Sequence, residues 1–276
     1  MSSTAKIAFI GAGNMASSII GGLIANGYNK GAIIACDPNP SALENLSSSF
    51  GIATSTDNTA AVKQATIVVL AVKPQVMQAV CEPLASNLGD NSLVISIAAG
   101  IACSSLNLWL GGANKALALV RCMPNTPALV QAGASALFAN QQVSEQQKQQ
   151  AEDILKAVGI VDWVNDEQHM DAVTAVSGSG PAYFFLMIEA MVAAGVKQGL
   201  SSETAAALAK QTAFGAAKLA LQSDVDVDEL RRRVTSPNGT TAAALASFEN
   251  NQFTTVVEAA MQACAERSKE LAKELG

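Results

Sequence analysis

The chain has 276 residues, half of them apolar but only 4% aromatic, so Ala, Val, Ile and Leu must fill its core. Such a length buries a core without disulfide or metal staples and accommodates one large domain or two ordinary ones. Charge is sparse: 17 basic against 23 acidic residues leave a net charge of −6, and no clustered Lys/Arg run extends beyond the three arginines 231–233, which argues against nucleic acid as a partner.

Cys36, Cys81, Cys103, Cys122 and Cys264 form no CxxC pair and no metal-finger spacing, and their odd number does not suit a disulfide framework. They read as small buried hydrophobes of a reducing compartment. No basic segment followed by an apolar one precedes the first strand, so no secretory signal is expected. The most apolar helix candidate, residues 181–196, carries Glu189 near its middle and reads as a buried helix, not a membrane span. These features predict a cytoplasmic protein.

In chain order, strands are predicted over residues 6–10, 32–36, 67–72, 93–98 and 117–122, with helices between them such as 15–26 and 40–48. The strands are continuous apolar runs with little alternation, as expected when both faces of a parallel sheet are covered. Alternating β and α elements predict an α/β fold with a doubly wound, mostly parallel sheet. A strand at 134–139, a Gln-rich polar helix at 144–158 and a strand at 160–164 follow. Beyond Glu167 the strand signal ends, and residues 171–176, 181–200, 201–222, 227–234, 241–249 and 253–275 all read as helices. The boundary is placed near residue 165, giving a first domain of 1–165 and a helical one of 166–276. Phe184, Phe185, Met187, Ile188 and Met191 cover nearly the whole circumference of one helix. A helix apolar all round is buried on every side, which suggests interdigitation with a second copy.

The first strand runs into Gly11-Ala12-Gly13-Asn14-Met15-Ala16, the G-x-G-x-x-A form of the dinucleotide fingerprint in its required strand–turn–helix setting. Gly11 supplies the turn, Gly13 lets backbone approach a pyrophosphate, and Ala16 permits close helix packing. The helix start then faces the phosphates with free N–H groups and the positive end of its dipole. Asp37 ends the second strand, where a carboxylate accepts from a ribose diol and repels a 2′-phosphate; on charge it leans towards NADH. The same Asp37-Pro38-Asn39-Pro40 stretch also reads as a plain turn and helix cap.

Three further segments fall at carboxyl ends of strands: Ala71-Val72-Lys73-Pro74, Ala98-Ala99-Gly100 and Met123-Pro124-Asn125-Thr126-Pro127. Lys73 is the one charge near the nicotinamide end, and it serves equally as a functional group or as a solvated rim lysine. The helical half holds two hydroxyl- and glycine-rich breaks, around Ser177-Gly178-Ser179-Gly180-Pro181 and Ser236-Pro237-Asn238-Gly239-Thr240-Thr241. The second opens a helix, so it reads either as an anion pocket suited to a carboxylate or as a simple cap.

Taken together with Asp171-Ala172-Val173-Thr174-Ala175-Val176 leading into Ser177–Tyr183, these motifs cover essentially the full chain, which resembles the pyrroline-5-carboxylate reductase family. The resemblance implies a Rossmann domain followed by an all-α dimerisation domain that interleaves with a second copy, with a decamer of dimers as the larger assembly. It implies reduction of Δ1-pyrroline-5-carboxylate to L-proline, the last step of proline biosynthesis, with NADPH or NADH. It assigns the dinucleotide to Gly11, Gly13, Asn14, Met15, Asp37, Asn58, Ala71, Lys73, Pro74 and Ala99. The substrate carboxylate falls to Ser236, Gly239, Thr240 and Thr241, with Thr241 bonding the ring nitrogen and Asp224 nearby; Thr241, Ser236 and Lys73 are the catalytic candidates.

The chain departs from the family at Asn238-Gly239, where two glycines are usual, and at Arg231-Arg232-Arg233, which replaces a more mixed run. Asn tolerates unusual backbone angles, so the turn is expected to survive. The arginines are placed to touch a cofactor phosphate, which runs against the charge argument from Asp37. A protonated cyclic imine is already a strong electrophile, so alignment carries most of the chemistry. His169, the one histidine, reads as structural. A β-hydroxyacid dehydrogenase would want a lysine soon after its glycine-rich helix start, yet the first after Pro181 is Lys197. A dinucleotide-sensing regulator would want a basic patch or a DNA-binding element.

Overall fold

A computed structural model describes residues 5–112, 115 and 117–275. The first part alternates β1 (Ile7–Ile10), α1 (Asn14–Ala25), β2 (Ile33–Cys36), α2 (Pro40–Phe50), β3 (Ala53–Ser55), α3 (Asn58–Gln64), β4 (Ile67–Leu70), α4 (Met77–Cys81), β5 (Leu93–Ser96), α5 (Cys103–Trp109) and β6 (Ala118–Met123). Then come β7 (Gly133–Ala139), α6 (Glu145–Lys156), β8 (Gly159–Trp163) and α7 (His169–Val173). The chain ends in α8 (Gly180–Lys197), α9 (Ser202–Gln222), α10 (Val227–Arg233), α11 (Thr240–Asn250) and α12 (Phe253–Leu275).

The eight strands lie in the order β3-β2-β1-β4-β5-β6-β7-β8. Neighbours are parallel except β6 and β7, so the first six strands run one way and the last two the other. Side chains alternate across a strand. Ile7 and Phe9 therefore enter one apolar cluster with Ile19, Ile20 and Leu23 of α1, while Ala8 and Ile10 enter a second with Val62, Met77 and Leu106. Both faces being covered is why the runs had to be apolar throughout. The sequence reading missed β3. This edge strand is half-exposed and carries Ala-Thr-Ser, with no apolar run to betray it.

The described chain forms two compact units. One runs through to Ser179 and takes in the chain from Cys264; the other spans Gly180–Ala263. The strands do end near residue 165, but the contact division falls later than the boundary placed there. Residues 166–179 are bonded into the first unit: Met170 is buried, Arg121 pairs with Glu167 at 2.8 Å, and Ser268 of α12 donates to Asp171 at 2.7 Å.

Within the second unit, Ser201 caps α9 by accepting from the Thr204 N–H at 3.1 Å. Its helices leave large side chains uncovered: Phe184, Phe185 and Leu186 are 69%, 63% and 67% exposed. Within a single chain α8 packs against α9 yet keeps these side chains exposed, so burial on every side is not reached by one chain alone. Together with the turns before it, α8 belongs to a 29-residue helical stretch, His169–Lys197, long and apolar enough by length and composition to cross a membrane.

Candidate active site

The phosphate turn is built from three strands. Gly11 donates its N–H to Cys36 O at 2.7 Å, and Ala71 donates to Ile10 O at 2.7 Å, so the turn is wedged between the ends of β2 and β4. Gly11 has φ +106°, and a Cβ there would stand 2.7 Å from the Ala71 carbonyl oxygen, so conformation and space both demand glycine. Gly13 is the opposite case: a Cβ on it would have nothing within 4 Å, so its backbone borders open space that a ligand can enter. The same residue precedes α1, whose first turn has no side-chain cap and no acidic residue. Free N–H groups at a helix start, a positive dipole end and an open approach fit a pyrophosphate.

Asp37 is half-buried and uses both carboxylate oxygens. Oδ2 accepts from the Ala12 N–H of the phosphate turn and Oδ1 from the Asn39 N–H, each at 2.9 Å. The cap of α2 is Asn39, which accepts from Ser41 N–H at 3.1 Å. The turn-forming role of this stretch is thus present, and Asp37 additionally braces the glycine loop.

Asn58 opens α3, capped by Asp57, which accepts from Ala60 N–H at 3.0 Å. Ala71 follows β4; exposed Lys73 stands just before the turn Pro74–Val76; Ala99 follows β5. Gly11, Gly13, Asn14, Met15, Asp37, Asn58, Ala71, Lys73, Pro74 and Ala99 all come just beyond carboxyl ends of five neighbouring parallel strands. The sheet topology therefore brings them to one edge.

Asp224, Ser236, Gly239, Thr240 and Thr241 belong to the second unit. Gly239 caps α11 without a side-chain bond and donates its N–H to Ser236 O at 3.0 Å, forming one tight turn that leaves Ser236, Thr240 and Thr241 exposed. Asn238 takes φ +58°, so asparagine does occupy a left-handed position here, and the turn is formed. Of the three arginines, Arg232 and Arg233 donate from Nε to Glu229 at 2.7 and 2.8 Å. These bonds hold the Glu229 carboxyl below its usual range and commit two arginines to α10 itself. His169 is exposed at the start of α7.

Sequence reasoning gave no role to Arg121 or Glu167, and noted Asn125 only within the Met123–Pro127 segment. Glu167 Oε1 accepts both from Arg121 Nη1 at 2.8 Å and from the Cys103 N–H at 2.7 Å. It thereby ties β6 to the first residue of α5, just past the Ala99 loop. The signal was a lone charge, Arg121, inside an apolar strand. Cys36, Cys81, Cys103 and Cys122 are buried free thiols, as expected, while Cys264 is half-buried.

A mostly parallel sheet in this strand order, with a glycine turn and an open helix start where the order reverses between β2-β1 and β4, defines a dinucleotide-binding protein of Rossmann architecture. The NADP oxidoreductase, coenzyme F420-dependent family matches residues 6–100, and the pyrroline-5-carboxylate reductase dimerisation family matches residues 167–271. The pyrroline-5-carboxylate reductase of Pseudomonas aeruginosa is 56% identical over 274 residues, 99% of each chain. A solved pyrroline-5-carboxylate reductase from Coxiella burnetii is 44% identical with a TM-score of 0.93, covering 98% of this chain and 99% of that one. A Plasmodium falciparum pyrroline carboxylate reductase structure with NADP bound is 33% identical with a TM-score of 0.84, over 98% and 99%. The chain belongs to the pyrroline-5-carboxylate reductase family and is an oxidoreductase.

Proposed function

We propose that the chain reduces Δ1-pyrroline-5-carboxylate to L-proline with NADPH or NADH, as the final step of proline biosynthesis in the cytoplasm. The observation that carries the reading is the phosphate turn, where Gly11 is wedged against Ala71 and Gly13 opens onto the uncapped start of α1. It stands in a chain that its relatives match end to end.

When bound, the dinucleotide supplies a hydride from the nicotinamide ring to the imine carbon. The chain's part is to hold and align. The N–H groups of Gly13, Asn14 and Met15 take the pyrophosphate; Asp37 takes the adenosine ribose and Asn58 borders it; Ala71, Lys73, Pro74 and Ala99 line the path to the nicotinamide end. The start of α11, with Ser236, Gly239, Thr240 and Thr241, takes the substrate carboxylate on N–H groups and hydroxyls, and Asp224 lies on its rim. Thr241 Oγ1 bonds the ring nitrogen and keeps the imine oriented, which is most of what an already electrophilic substrate requires. Lys73 adds positive charge at the nicotinamide end. The hydroxyacid dehydrogenase alternative lacks its lysine, since Lys197 closes α8 a full helix away from Gly180.

The division of labour is dinucleotide binding by residues 1–165 and dimerisation with substrate binding by 166–276, which the dimerisation match beginning at residue 167 supports. The protein is a homo-oligomer. We assign the dimer contact to the helical part, with a decamer of dimers as the larger assembly. The exposed apolar side chains of α8, inside the segment that the dimerisation family matches, support a partner helix as their cover. The net charge of −6, with two of the three consecutive arginines at 231–233 paired to Glu229, supports the absence of nucleic acid.

The test is loss of nicotinamide absorbance with Δ1-pyrroline-5-carboxylate, run separately with NADH and NADPH, beside Thr241→Ala. Substrate-dependent oxidation, weakened at least about tenfold in the variant, is expected. No oxidation with either cofactor despite cofactor binding overturns the assignment.

A further inference from the structure

Asn125 is buried, 9% exposed, two residues beyond the end of β6, and its side chain bonds to two different stretches of backbone. Nδ2 donates to Ser177 O at 3.0 Å, and Oδ1 accepts from Ala134 N–H in β7 at 2.9 Å. An amide is the group of this length that offers a donor and an acceptor together; Asp at neutral pH offers acceptors alone.

The Ser177 carbonyl has a reason to need that donor. It lies in a wide π-helical turn, Thr174–Gly178, where Ser179 N–H reaches back five residues to Thr174 O at 2.8 Å. Four residues after Ser177 stands Pro181, which has no N–H to give, so the ordinary helical bond to this carbonyl cannot form. Other bonds hold the same turn: Ser177 Oγ donates to Val173 O at 3.1 Å, and Cys264 Sγ lies 3.3 Å from Ser179 Oγ. A Cβ on Gly178 would strike the Met123 side chain, so the turn rests directly on the end of β6. That end belongs to the β4-β5-β6 half of the sheet, the half that carries the second mononucleotide in a Rossmann fold. Single-turn π segments inside helices recur at functional sites.

We propose that Asn125 is a positioning residue of the reductase: its amide pins the Ser177 carbonyl, and with it the 174–179 turn, over the carboxyl end of β6, making that turn a fixed wall at the nicotinamide end. The proposal rests on the reductase reading above. Asn125 touches no reacting atom in this account; it acts through Ser177 and Gly178.

Asn125→Asp separates the two halves of the amide, because it keeps an acceptor for Ala134 N–H and removes the donor to Ser177. We expect kcat to fall at least about tenfold while the KM for the dinucleotide stays within about twofold. Amide hydrogen exchange across residues 174–180 is expected to quicken in the variant while β7 keeps its protection. A kcat within about twofold of the parent, or unchanged exchange in the turn, overturns the proposal. If Asn125→Asp does not fold, Asn125→Ser removes both bonds without a charge and must show the same loss of kcat; parental kcat in that variant overturns the proposal equally. A parent chain inactive on Δ1-pyrroline-5-carboxylate would instead fail the reductase reading, and the exchange measurement would still decide whether Asn125 holds the turn.

Discussion

Phe9 and Phe185 are the same side chain in opposite circumstances. The first, in β1, is wholly buried between sheet and helices, whereas the second, in α8, is 63% exposed. Burying such a side chain is worth roughly 1.5–3 kcal/mol. The first unit collects that contribution inside one chain, since its strands supply apolar side chains to both faces and its helices cover them. The second unit does not: its buried apolar side chains are Ala205 and Ala209, while Phe184, Leu186, Phe214 and Leu221 remain open to solvent. One region covers its own core and braces the glycine turn with backbone and Asp37 bonds. The other leaves large apolar side chains uncovered, which is what the proposed dimer contact would bury.

The sharpest way to break this contrast is Phe185→Glu. A charge on α8, the proposed contact helix, should shift the protein from oligomer to monomer in light scattering and lower reductase activity roughly 100-fold or more, because a buried unpaired charge opposes association. Cofactor binding by the first unit should survive. An unchanged mass and rate would show that α8 is not an interface.

Ion pairs offer a milder comparison. Arg121 and Glu167 are 11% and 28% exposed at their side chains, and Arg121 Nε is already buried without a hydrogen-bond partner. Arg121→Met should cost about 2–3 kcal/mol in chemical denaturation, because Glu167 keeps a partly buried carboxylate with its cationic partner gone. In the second unit, the Arg232 side chain is 79% exposed. Arg232→Met should change stability by less than about 0.5 kcal/mol. Equal costs would remove the distinction between the units.

A last contrast concerns the thiols. Burial pushes the Cys36 thiol up to about 11, with the Asp57 charge adding to it. Burial likewise pushes Cys81, Cys103 and Cys122 up to about 12. Iodoacetamide at pH 8 should therefore modify Cys264 at most in the native protein, and all five cysteines once it is unfolded. The folded state holds these protons more tightly than the unfolded chain, so their contribution is intact below about pH 9 and is lost as pH rises towards 11–12. A melting temperature that stays flat from pH 9 to 11, or rapid native labelling of several thiols, would count against the buried assignment.

The runs behind β1, β2, β4, β5 and β6 were legible because a doubly covered strand has no choice but to be apolar. The fingerprint at Gly11 was legible because backbone geometry and space leave only glycine there, whereas β3 was not, since an edge strand paired on one side needs no such run. Asp37 was read as a ribose ligand or a turn residue; it proves to brace the Ala12 N–H of the phosphate turn. Asn125 and Glu167 had no visible role because their partners lie 52 residues away at Ser177 and 64 away at Cys103.

By itself, then, the sequence determined the alternation of elements, the phosphate turn, the family and the excess of apolar side chains in the helical half. All of these follow from local geometry or from residue type at fixed spacing. Only the tertiary structure decided that residues 166–179 and the end of α12 belong with the sheet, that Asp37 braces the glycine loop, and that Asn125 supplies the donor Pro181 lacks. Those depend on which distant backbone groups meet, and a hydrogen bond between them leaves no periodic trace along the chain.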